Sequence, residues 1–282
     1  MANTFLCGRY EFDLERPLVM GIVNVTPDSF SDGGRHNDPD AAIAHARRLV
    51  EEGAHILDIG GESTRPGAAP VSEQDELARV LPLVEGLRDC GVPLSVDTFK
   101  PGVMRAVLDA GADMINDIHG FRQPGAVEAV AASRCGLCVM HMKGEPGTMQ
   151  DNPEYSDLLG EIGGFLHERA QALRAAGVDA RRIVLDPGFG FGKTQEQNYE
   201  LLRRLQSLQA SGYPLLAGLS RKSMIGHATG RDVSQRLAGS LAGALACVAR
   251  GAAIVRVHDV AATVDALKVW QMVEAVPGAT AN

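Results

Sequence analysis

Short apolar runs rich in Val, Ile and Leu recur along the whole chain, at 18–24, 55–60, 92–98, 113–117, 137–141, 182–186, 214–219 and 253–257. Their length and their turn-forming borders predict buried β-strands. The intervening segments change period. Leu77, Val80, Leu81, Val84 and Leu87 fall on one face of a helix, as do Leu158, Ile162, Phe165, Ala170 and Leu173, and then Leu201, Leu202, Leu205 and Leu208. Ser72 followed by Asp75 marks a capped helix start.

Strands that alternate with helices imply a parallel sheet. Eight such units in a chain of 282 residues predict an α/β fold of the (β/α)8 TIM-barrel class rather than an open doubly wound sheet. The third and fourth units leave little room for their helices. Ahead of the first strand, segments 4–7 and 10–14 flank Gly8 and Arg9 and predict a small β-hairpin capping the barrel bottom. No linker or low-complexity tract interrupts the pattern, so residues 1–282 read as a single domain, with 1–17 as an N-terminal extension.

A barrel of this kind gathers its site at the C-terminal ends of the strands. Those ends carry Asn24, Asp58 with Glu62, Asp97, Asn116 with Asp117, His141, Asp186, Ser220 with Lys222, and Arg256 with His258. Acids, amides and cations at every strand end describe a polar pocket.

Charge and composition narrow what such a pocket serves. With 27 Lys and Arg against 35 Asp and Glu, the net charge is −8, which argues against a nucleic-acid surface. Residues 1–13 contain Arg9, Glu11 and Asp13 with no apolar core, unlike a signal peptide. The least polar stretch, 237–249, is too short to span a bilayer; its Gly239 and Gly243 suit close packing of a soluble helix. No membrane association is expected. The five cysteines, an odd number, fit a reducing, cytoplasmic setting, and Cys135 and Cys138 read as buried thiols rather than a metal or redox pair. The 32 glycines are concentrated at strand ends, among them Gly60, Gly61, Gly188, Gly190, Gly192 and Gly218.

Two weak motifs fall away. Gly188, Gly190 and Gly192 with Lys193 and Thr194 resemble a phosphate loop, yet its first glycine would stand at position 187, which is Pro, and the spacing is not that of a dinucleotide fingerprint. A flexible, close-approach loop after Asp186 is the expectation instead. Met140-His141-Met142 has no His partner at ligand spacing, so a histidine-held metal is not expected.

The longer stretches are more specific: 24–34 after the first strand, 60–67 after the second, 95–98, 115–117, 186–194, 220–223 and 256–259. In order and spacing they resemble the dihydropteroate synthases, from about Leu18 to Lys268. The resemblance implies condensation of 6-hydroxymethyl-7,8-dihydropterin pyrophosphate with p-aminobenzoate to give 7,8-dihydropteroate and pyrophosphate. It implies pterin binding by Asp97, Asn116, Asp186 and Lys222, with Met140 and Gly218 among the substrate contacts. Asn24, with Mg²⁺ as cofactor, and Arg256 and His258 would hold the pyrophosphate. Thr64, Arg65, Pro66, Ser223 and Phe191 would shape the p-aminobenzoate site, while Phe30 and Asp32 sit on the first loop. A homodimer and sulfonamide inhibition belong to the same expectation.

These residue types suit that chemistry. A pterin edge presents N–H donors beside ring-nitrogen and carbonyl acceptors; carboxylates accept, Asn116 does both, and Lys222 donates. Cations and Mg²⁺ oppose the charge on a leaving pyrophosphate. An arylamine is neutral at pH 7, so no strong general base is required, and none of the usual nucleophile–base pairings is found. Two other classes stay in view. A pterin- or folate-dependent methyltransferase would not need the Arg-x-His anion clamp or the 24–34 loop. A non-catalytic pterin-binding paralogue would show degraded loops, whereas Asp32, Thr64, Arg65, Ser223 and His258 are all present.

Overall fold

The protein is described by a computed structural model covering residues 4–25, 39–63, 69–145 and 147–275. Eight parallel strands close into a barrel: β3 (Leu18–Asn24), β4 (Ile56–Gly60), β5 (Leu94–Asp97), β6 (Met114–Asp117), β7 (Gly136–Met140), β8 (Ile183–Asp186), β9 (Leu215–Ala217) and β10 (Ala252–Val257), with β10 returning to β3. The predicted strand order and class hold. β3 matches its apolar run, β7 and β10 each begin one residue before theirs, and the other five strands are one to three residues shorter because flanking residues leave the ladder. β5 and β9 each lose three residues; of 214–219 only Leu215–Ala217 remains, and Pro214 has no N–H to contribute.

Helices α1 (Pro39–Glu51), α2 (Glu73–Leu87), α3 (Pro101–Ala110), α4 (Ala126–Ala131), α5 (Leu158–Ala175), α6 (Gln195–Arg203), α7 (Ser223–Thr229), α8 (Leu237–Val248) and α9 (Val260–Glu274) surround the barrel. Ser72 caps α2 by accepting from the Asp75 amide, as its spacing suggests. The cramped third and fourth units do have short helices, α3 and α4. One grouping is corrected. Leu201 and Leu202 lie in α6, but Leu205 and Leu208 lie in a separate 3₁₀ run, Leu205–Ser211. An i, i+3 repeat keeps both leucines on one side of that tighter coil, so burial survives the change of helix type.

The hairpin β1 (Thr4–Cys7) and β2 (Tyr10–Asp13) closes the bottom of the barrel. Phe5 and Cys7 are fully buried and pack with Leu18, Met20, Ile56 and Ile254. Arg9 latches it in place, with Nε and Nη2 each 2.9 Å from the Asp113 carboxylate. Gly239 and Gly243 let α8 pack closely, their missing side chains leaving room for Ile225 of α7 and for Leu219 just after β9. No helix of the described residues is long and apolar enough to cross a membrane.

Candidate active site

Alternate residues of a barrel strand point inward. The lower inward layer is apolar, formed by Leu18, Met20, Ile56, Met114, Cys138, Val184, Leu216 and Ile254. One step of two residues further up, the same strands carry Asp58, Asn116, Met140, Asp186, Gly218 and Arg256. The sheet register sets Asn24, Gly60, Asp97 and Asn116 side by side on four neighbouring strands. The change from oil to polar chemistry happens within a single pleat.

Arg256 is the hub. Its Nε lies 2.6 Å from Asp58 Oδ2, and its Nη2 lies 3.1 Å from Asp97 Oδ2. Asn116 donates from Nδ2 to Asp58 Oδ2 at 3.2 Å, which leaves its carbonyl oxygen free of that bond. That oxygen, Asp58 Oδ1 and Ser95 Oγ are buried without a hydrogen-bond partner. Each unpartnered buried polar atom costs about 1–3 kcal/mol, so the floor of the mouth is built for a ligand rich in N–H donors. Burial pushes Asp97 up to about 7, although Arg256 opposes the shift.

On the opposite wall, Asp186 Oδ1 accepts from the Gly188 amide at 2.7 Å. Burial raises its pKa, with the Lys222 charge as the main opposing influence. Lys222 donates to the Phe189 carbonyl at 2.5 Å and stands 4.7 Å from the centre of the Phe191 ring. Burial pulls it down to about 8 against the attraction of Asp186. The Gly188–Gly192 turn owes its path to glycine. Gly188 has φ +70°, and a Cβ there would run into the His141 carbonyl. Phe191 and Met140 join Ile118, Met142, Met149 and Phe99 in an apolar cluster beside this polar group.

His258 Nδ1 lies 3.1 Å from Ser220 Oγ, and Ser223 is exposed at the first turn of α7. Asp259 is gripped by the Nε and Nη2 of Arg221. Arg221 is thereby a structural cation. Among the strand-end residues, three are engaged elsewhere: Glu62 pairs with Lys100 and accepts from the Val71 amide, and Asp117 and His141 serve the turns and the helix layer. Asp117 accepts from the His119 and Phe121 amides at 2.7 Å each and ties a turn. His141 faces outward, 5.2 Å edge-on from Phe165, with Nδ1 against Lys193. Phe30, Asp32, Thr64, Arg65 and Pro66 lie outside the described residues. Ser95 and Lys193 are the contributors that sequence reasoning assigned no role; Asp58, expected only as a strand-end acid of the pocket, gains a specific partner in Arg256.

Asn24 is the candidate magnesium ligand. Gly60 stands between Asn24 and Asp97, and a Cβ on it would lie 3.6 Å from Asn24 Oδ1 and 3.9 Å from Asp97 Cβ. The missing side chain leaves a notch beside one amide oxygen. Mg²⁺ binds through one or two protein oxygens and takes its remaining ligands from phosphate and water, so the donor set fits. No group of three His, Cys, Asp or Glu able to hold a metal occurs among the described residues.

The model of the pterin binding enzymes matches residues 20–258. A dihydropteroate synthase of Neisseria meningitidis serogroup C is 54% identical over 274 residues, covering 95% of this chain and 97% of its own. The crystal structure of Burkholderia cenocepacia dihydropteroate synthase complexed with 7,8-dihydropteroate is 57% identical, covers 96% of each chain and superposes with a TM-score of 0.89. The Xanthomonas albilineans dihydropteroate synthase with 4-aminobenzoic acid is 56% identical, with a TM-score of 0.93 over 98% of this chain and all of that one. These similarities run through every strand that supplies the mouth, and the chain belongs to the pterin binding enzyme family, in its dihydropteroate synthase branch.

Proposed function

We propose that the mouth holds 6-hydroxymethyl-7,8-dihydropterin pyrophosphate edge-on, with p-aminobenzoate entering beside the pterin. The observation that carries this reading is the set Asp97, Asn116, Asp186 and Lys222 around the unpartnered Asn116 and Asp58 oxygens. Donors of a pterin edge satisfy those acceptors, and Lys222 supplies a donor to its ring acceptors. An analogue lacking those groups leaves the site's own polar atoms unpaired, which makes the pocket selective. Phe191, Met140, Gly218 and Ser223, with Thr64, Arg65 and Pro66, shape the space for the arylamine and its carboxylate. A sulfonamide, isosteric with p-aminobenzoate, competes for that space.

The reaction is dissociative in this reading. The methylene C–O bond breaks first and pyrophosphate leaves with the electron pair. The dihydropterin ring delocalises the resulting cation. Asp97 and Asp186, with Asp32, stabilise it electrostatically. The neutral arylamine nitrogen then forms the new C–N bond and loses its proton to water. Arg256 and His258 bind the departing pyrophosphate, and Asn24 would contribute one oxygen to Mg²⁺. Bound magnesium supplies charge neutralisation on the phosphates. Because the nucleophile arrives neutral, no side chain needs to act as a strong base.

Isotope scrambling tests the order of events. With p-aminobenzoate omitted, heavy oxygen placed in the C–O–P bridge is expected to exchange into the non-bridging positions of recovered substrate. Its retention in the bridge under conditions of full turnover contradicts early bond breaking.

A homodimer is the expected assembly. It is supported by an apolar stripe on α9, where Val269, Met272 and Val273 are exposed by 66%, 72% and 62% at helical spacing. Light scattering at micromolar concentration checks it. A cytoplasmic setting is supported by five free cysteines, four of them buried.

A further inference from the structure

Lys193 lies behind the site, 2% exposed. Three acceptors surround its ammonium: the Gly188 carbonyl at 2.9 Å, the Phe191 carbonyl at 3.1 Å and His141 Nδ1 at 3.1 Å. An ammonium has three N–H donors, so this set saturates it. Burial pulls Lys193 down to about 7; the neutral amine still has two N–H donors for the two carbonyls. In its ammonium form Lys193 donates to His141 Nδ1, and His141 carries its own proton on the other nitrogen. That agrees with its pKa, driven down to about 2 first by burial and then by the Lys193 charge. Taking an ammonium out of water is unfavourable unless something is gained, and an apolar chain would fill the same volume without that cost.

What the lysine joins explains the arrangement. His141 follows β7, whereas Gly188 and Phe191 belong to the turn after β8. From the mouth side, Lys222 holds the Phe189 carbonyl and stands over the Phe191 ring. From the interior, Lys193 holds the carbonyls on either side of Phe189. Asn198 accepts from the Gly190 amide at 2.7 Å and steadies the outer bend. Asp186 meets this turn through the Gly188 amide at 2.7 Å, but it also has an anchor that does not involve Lys193: its main-chain carbonyl accepts from the His141 amide at 2.9 Å, within the frame of the sheet. Removing Lys193 therefore loosens the turn bearing Phe191 more than it loosens Asp186.

We infer that Lys193 is a positioning residue for the arylamine substrate, gripping the Gly188 and Phe191 carbonyls so that the Phe191 ring keeps its place against p-aminobenzoate. This rests on the reading of Phe191 as a wall of that site. Lys193→Met keeps the stem and removes the donors; Lys193→Gln keeps an N–H on a shorter reach; Phe191→Ala sets the scale. In Lys193→Met the KM for p-aminobenzoate is expected to rise about fivefold or more. The Kd for the pterin pyrophosphate, measured by binding on the same preparation, stays within about twofold. Lys193→Gln falls between wild type and Lys193→Met, and carries the same split if the methionine variant does not fold. A raised KM in Phe191→Ala with an unchanged one in both lysine variants overturns the inference alone. An unchanged KM in Phe191→Ala overturns the reading of Phe191 and the inference with it. A parallel rise of KM and Kd in the lysine variants overturns it too, since Lys193 then serves the fold as a whole.

Discussion

Arg256 Nε and Asp58 Oδ2 meet at 2.6 Å inside the barrel mouth, and the same guanidinium reaches Asp97 at 3.1 Å. The bridge ties the last strand of the barrel to its second and third. It also fixes where the two carboxylates stand when the pterin arrives. Asp58→Asn keeps the shape and leaves Arg256 paired to Asp97. The kcat/KM for the pterin substrate is expected to fall about tenfold or more, with the KM for p-aminobenzoate little changed. Urea unfolding should register a loss of about 1–3 kcal/mol, since one partner of a largely buried pair is gone.

The orphaned Asn116 oxygen makes a second prediction. Asn116→Ala removes both the pocket acceptor and the donor to Asp58. Pterin affinity measured by titration calorimetry should drop by about 1.5–3 kcal/mol, the range for a hydrogen bond lost from a buried site. A variant that binds pterin as tightly as wild type would mean that this oxygen faces no ligand.

Activity should follow pH in a bell. Asp97 must be ionised to accept N–H donors, and burial sets it near about 7. Lys222 must be protonated to donate with full charge, and burial sets it near about 8. The kcat/KM for the pterin substrate, which reports free-enzyme groups, should rise toward the first value and decline above the second. In Asp97→Asn the acid limb should disappear while the alkaline limb remains; persistence of the acid limb would assign it elsewhere.

Much of this was legible in the sequence because a barrel strand has a strict period of two. Asn24, Asp97, Asn116, Asp186 and Arg256 end apolar runs on inward positions, and that alone places them in one mouth. The same rule explains the misfits. His141 stands one residue past inward-facing Met140, so it turns to the outside and meets Phe165. Asp58 gains its role from Arg256, 198 positions away, a pairing that no local pattern encodes. Lys193 was hidden in a glycine-rich stretch, because its function is to bind main-chain carbonyls that sequence does not distinguish.

Gly188 tests the turn after β8 from the backbone side. Its φ of +70° and its contact with the His141 carbonyl leave no room for a side chain. Gly188→Ala should cost about 1–3 kcal/mol in thermal or urea unfolding. The KM for p-aminobenzoate should rise as well, through displacement of Phe191. Gly177, also at positive φ but with open space around it, is the control: its alanine variant pays only for the backbone conformation and should leave both KM values unchanged.

Dihydropteroate and pyrophosphate measured together, with Mg²⁺ and the pterin pyrophosphate in the presence and absence of p-aminobenzoate, bear most directly on the barrel mouth as a synthase site. With both substrates the two products should appear in equal amounts. Without p-aminobenzoate, pyrophosphate should be released far more slowly and no dihydropteroate should form. No turnover with both substrates, or a pyrophosphate rate indifferent to p-aminobenzoate, would contradict it.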